Sequence, residues 1–77
     1  MRKQIYNYTA VFEKNEHKGY TVTVPSLSGL VTEGKNLDEA SKNAVEAISC
    51  YLYGFKAERK KFPIEGDIAS MRLSVSI

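Results

Sequence analysis

The chain has 77 residues, 43% of them hydrophobic and 26% charged, with a formal net charge of +2. That length fits a single small domain over residues 1–77, the composition excludes a disordered polar chain, and the charge is too small to argue for nucleic-acid binding. No apolar run nears the roughly 18–20 residues of a membrane span, Met1, Arg2 and Lys3 lead into an alternating segment unlike a signal peptide, and the lone Cys50 excludes an intrachain disulfide, so a cytoplasmic protein is expected.

From Ile5 to Glu13 the pattern has period two, with Tyr6, Tyr8, Ala10 and Phe12 on one side, which predicts a strand with one buried face. A polar break leads to Tyr20, Val22 and Val24 alternating with Thr21 and Thr23, a second strand joined to the first by a hairpin near Asn15 to Gly19. Pro25 cannot donate to a sheet ladder, so Pro25-Ser26-Leu27-Ser28-Gly29 is a turn. A short third strand is expected at about Leu30 to Glu33, with Gly34 free to take a positive backbone angle before a helix.

Asn36 is a good N-cap, Glu39 sits where a capping-box side chain reaches back, and Asp38 adds negative charge to the first turn. Leu37, Ala40, Ala44, Ala47, Ile48, Tyr51 and Phe55 then recur at spacings of three and four as one apolar stripe, and Gly54 is placed to stop the helix. Its alanines let the helix lie close to a sheet. After a loop-like Phe62 to Ser70, the alternation of Met71, Leu73, Val75 and Ile77 predicts a last strand. The expected fold is α+β, β-β-β-α-β, an antiparallel sheet with one helix packed on one face.

The residues carry little chemistry. His17, the single histidine, falls in the hairpin loop, and Cys50 falls at the stripe's margin, where a packed side chain is expected. The carboxylates do not converge by spacing, and no phosphate loop or metal-ligand spacing is present, so the chain is not expected to be an enzyme or to bind a cofactor or metal. Lys56, Arg59, Lys60 and Lys61 form a basic segment after the helix, which is either a solvated face or a contact for RNA or DNA. A terminal strand and a free sheet edge in so small a domain favour self-association as a dimer or tetramer.

The ordered run YTAVFEKNEHKGYTVTVPSLSGLVTEGKNLDEASKNAVEAISCYL resembles the HicB-like antitoxins of bacterial and archaeal toxin–antitoxin systems. The resemblance covers about residues 6–64 and rests on Tyr8, Gly19, Tyr20, Pro25, Leu27, Gly29, Thr32, Gly34, Leu37, Glu39 and Ala40, with Ala44, Glu46, Ala47, Tyr51 and Pro63 downstream. It implies a degenerate ribonuclease H-like fold without a working active site. It also implies a partner, a small HicA-like mRNA-cleaving toxin whose catalytic histidine the antitoxin masks.

In this reading Pro25, Leu27, Gly29 and Gly34 fix the turn, Asn36 and Glu39 cap the helix, and Glu33, Asp38, Glu39 and Glu46 are a candidate acidic patch for a basic toxin. Many members of that family continue into a DNA-binding module; this chain ends at Ile77, so direct DNA binding by it alone is not expected. The alternative is a stand-alone small nucleic-acid-binding protein using residues 56–61.

Overall fold

Val11–Lys14, Tyr20–Thr23 and Val31–Gly34 form strands β1, β2 and β3, and Leu37–Ala57 forms helix α1, in a computed structural model that describes residues 4–77. Met1, Arg2 and Lys3, part of the single-domain expectation, lie outside the described residues. The strands make one antiparallel sheet in the order β1-β2-β3, so the α+β class read from the sequence holds. β1 is shorter than expected, covering only the end of the run from Ile5.

Register decides which side chains turn inward. Phe12 stands opposite Val22, Val22 opposite Thr32, and Tyr20 opposite Gly34. Period-two alternation therefore sets Phe12, Tyr20 and Val22 on one face and Val11, Glu13, Thr21 and Glu33 on the other. α1 covers the first face, over β3 and to a lesser extent β2. Val22, Ala40 and Ala44 form the centre of the core, with Ala10, Phe12 and Tyr20 packed around them.

The alanines bring the helix backbone down onto the sheet, and Gly34 marks how closely. A Cβ built there would stand 2.4 Å from the Ala40 nitrogen and 2.6 Å from its Cα. Gly34 is thus required by the helix–sheet approach and not by a positive φ, which is found instead at Gly29 (78°).

The turn containing Gly29 has its own geometry. The Leu27 N–H donates to the Val24 carbonyl at 3.0 Å, the Leu30 N–H to the Leu27 carbonyl at 3.1 Å, and the Val24 N–H to the Leu30 carbonyl at 3.3 Å. These bonds tuck the Leu27 side chain inward, where it is 1% exposed.

At the helix start the Asn36 Oδ1 accepts the Glu39 N–H at 2.8 Å, while the Glu39 carboxylate accepts the Lys35 N–H at 3.0 Å. Two N–H groups at this helix start are thereby satisfied. The helix does not stop at Gly54 but runs through it to Ala57. Tyr51 and Phe55 stack at 5.5 Å across this last stretch, and packing there outweighs the local preference of one glycine. Termination comes from Arg59, with φ 57°: its N–H donates to the Lys56 carbonyl and the Lys60 N–H to the Phe55 carbonyl, a Schellman closure.

The fourth strand expected over Met71 to Ile77 is not formed. Residues 66–77 carry no secondary structure and are exposed throughout. Alternation supplies a strand's side-chain pattern, but a strand also needs pairing with a neighbouring edge, and this segment pairs with neither edge strand of the sheet, β1 or β3.

Candidate binding surface

Beyond the helix the chain turns back to cross residues 6–9. Phe62 meets the Tyr6 ring edge-on at 5.0 Å, and the Tyr8 hydroxyl donates to the Pro63 carbonyl. Glu65 then anchors the crossing: its carboxylate accepts the Thr9 N–H and the Thr9 hydroxyl, each at 2.6 Å, and the Ser26 hydroxyl at 3.1 Å. The two Thr9 bonds hold the Glu65 carboxyl below its usual range, aided by Ser26 and opposed by partial desolvation. Burial pushes the Tyr8 phenol up, as do neighbouring Tyr6 and Glu65.

Between this crossing and α1 lies an open cleft of about 470 Å³. Gln4, Tyr6, Asn7, Tyr8 and Thr9 line one side, Val45, Ile48, Ser49 and Leu52 of α1 the other, and Glu65 completes it. At about 100° per residue, Val45, Ile48 and Leu52 form a second apolar shoulder, rotated from the Ala40–Ala44–Ala47 line that meets the sheet. Val45 is left 66% exposed and Tyr6 43%.

A one-stripe reading of the helix omits Val45 and Leu52. Their spacing with Ile48 was the available signal. Glu65 has no such signal, because its partners lie 56 and 39 residues away.

The cleft draws together none of the charged residues singled out from the sequence. Glu33 sits on the sheet face away from the helix, whereas Asp38, Glu39 and Glu46 are carried by α1. Asp38 pairs with Lys42 at 3.5 Å, and Glu39 is engaged at the cap. Lys56, Arg59, Lys60 and Lys61 are all exposed around the helix end, with Lys60 3.4 Å from Glu58.

His17 is exposed in the hairpin. Cys50, expected to pack, is also exposed: it lies roughly 100° round the helix from Tyr51, on the flank opposite the Ile48–Leu52 shoulder. Among the described residues no three His, Cys, Asp or Glu side chains are grouped to hold a metal ion. No helix among them is long and apolar enough to cross a membrane.

Comparison with known proteins bears on the scaffold as a whole. Residues 8–74 match the family model described as the HicB-like antitoxin of bacterial toxin–antitoxin systems. A UPF0150 protein of Synechocystis is 39% identical over 75 residues, covering 97% of this chain and 94% of that protein. A UPF0150 protein of Thermoplasma acidophilum is 41% identical over 56 residues (73% and 81%), and one of Helicobacter pylori 45% over 53 residues (69% and 72%). No solved structure matches the chain. With the family model spanning the sheet, the turn, the helix and most of the returning segment, the chain belongs to the HicB-like antitoxin family.

Proposed function

We propose that this protein is a non-enzymatic antitoxin of a single domain, acting in the cytoplasm as a homo-oligomer, which neutralises a HicA-like mRNA-cleaving toxin by covering its active site. The observation that carries this reading is the family match over residues 8–74, which includes every element of the fold. The structure supplies a fitting scaffold: Gly34, the Val22–Ala40–Ala44 core and the Asn36 cap hold α1 against the sheet, leaving most of the helix's outer surface exposed for a partner. The acidic side chains Asp38, Glu39 and Glu46 on α1 are proposed to meet the basic surface of an RNA-cleaving toxin, a contact that salt would weaken, while Glu33, on the sheet face away from the helix, stands apart from them.

The test is co-expression with a HicA-like protein from the same organism, scoring growth and co-purification. Restored growth with a stable complex supports neutralisation, and Glu46→Lys should weaken that complex. Continued toxicity with no complex, while the chain itself is folded by circular dichroism, would overturn it. In that event the segment 56–61 becomes the surface to test, as salt-sensitive RNA binding lost on changing Lys56, Arg59, Lys60 and Lys61 to alanine. Tyr51 and Phe55 are already stacked on each other, which leaves Tyr53, 68% exposed, as the nearby aromatic ring for a base.

A further inference from the structure

The C-terminal segment has the side-chain order of a strand and none of a strand's contacts. Met71, Leu73, Val75 and Ile77 alternate with Arg72, Ser74 and Ser76, yet these four apolar residues are 75% exposed or more. Among the described residues no hydrogen bond joins residues 66–77 to the rest of the chain. The molecule is correspondingly long, 52 × 28 × 20 Å, with a radius of gyration of 14.7 Å where a compact chain of this length has about 11–12 Å.

The arm nevertheless leaves from a defined place. Glu65, bonded to Thr9 and Ser26, fixes the last anchored residue beside the cleft. The same chain therefore carries an uncovered apolar arm and, next to its root, an uncovered cleft to which Tyr6, Tyr8, Val45, Ile48 and Leu52 contribute the apolar lining. β1 adds a sheet edge with no partner strand among the described residues.

We propose that two copies of the chain exchange these arms, residues 67–77 of each lying in the cleft of the other between residues 4–9 and α1. The proposal deepens the self-association proposed above by assigning its contact. A second copy fits as occupant because it brings the matching chemistry twice. The arm holds one acidic and one basic residue, Asp67 and Arg72, so it suits a cleft whose one carboxylate, Glu65, is already bonded to Thr9 and Ser26. Seven extended residues from Met71 span about 23 Å, enough to run the length of residues 4–9.

A twofold axis satisfies both arms and both clefts at once and leaves nothing to propagate into a fibre. Burying a side chain of this size removes about 60–120 Å² of surface. Counting both arms and both clefts, the interface reaches roughly 1,000–1,900 Å², overlapping the range of about 1,200–2,000 Å² found for stable complexes.

The experiment is sedimentation equilibrium on the full chain alone, without any toxin, beside two variants checked by circular dichroism: Leu73→Asp/Val75→Asp in the arm and Val45→Glu in the cleft. All three positions are exposed in the single chain, so each variant should keep its helix content. The expected result is a wild-type dimer whose dissociation constant rises by more than about 100-fold in either variant. A wild-type chain that stays monomeric at 100 micromolar or so would overturn both the exchange and self-association. A wild-type dimer unaffected by the arm substitutions would overturn the exchange alone. Neither result bears on growth rescue, so the antitoxin reading fails or stands separately.

Discussion

Leu27 and Leu73 are the same side chain in the same molecule, one 1% and the other 75% exposed; Val22 and Val75 repeat the contrast at 0% and 81%. The difference lies in what each region holds within itself. Between Ala10 and Lys60 every element meets its packing partner within the same chain: the hairpin pairs β1 with β2, the double turn seats Leu27, and Gly34 lets α1 settle on β3. Past Glu65 the sequence alternates again from Met71, but within the single chain that segment pairs with neither edge of the sheet. Alternation is a statement about faces, whereas a strand is a statement about neighbours.

The contrast should appear first in stability. Leu27→Ala empties a fully buried site and is expected to cost about 2–5 kcal/mol, while Leu73→Ala, in solutions dilute enough to hold the chain as a monomer, should cost less than about 0.5 kcal/mol. Urea unfolding of both variants measures this, and similar losses would erase the distinction. Gly34→Ala follows, at about 1–3 kcal/mol, because its Cβ would meet Ala40 backbone atoms that belong to the helix and cannot swing aside. Asn36→Ala removes the cap acceptor for Glu39 and should cost about 1 kcal/mol, read in the same unfolding experiment.

The smallest effect concerns the anchor between the two regions. Glu65 is held below its ordinary value in the folded chain, chiefly by Thr9, so the stabilisation it provides is present above the unfolded-state pKa of about 4.3 and is lost as pH falls through the lower folded value. Below about pH 4 the crossing at Thr9 should loosen while the sheet and helix persist. The Thr9 amide resonance, followed in an acid titration, should move in that window, and Glu65→Gln should remove the movement.

Much of the first region was legible because its signals are local. Asn36 and Glu39 mark a helix start within a few residues, Pro25 to Gly29 mark a turn, and Tyr20 to Val24 alternate without interruption. Gly34 was legible as a needed glycine but not for its reason, since the close approach of Ala40 exists only after the helix has docked. The helix end does not follow from Gly54, because the stacked Tyr51 and Phe55 and the left-handed Arg59 decide it together. The cleft was not legible at all. It needs the second shoulder of α1 and a crossing made by residues far apart in sequence, and neither leaves a compact pattern.

The central claim, that a chain of this family acts by occupying a ribonuclease, is tested most directly by titrating the purified protein into an RNA-cleavage assay with a purified HicA-like toxin from the same organism. Neutralisation by occlusion predicts that cleavage falls in proportion to added protein and stops at a fixed molar ratio near one chain per toxin. Cleavage that continues unchanged in the presence of a molar excess of folded protein would contradict it.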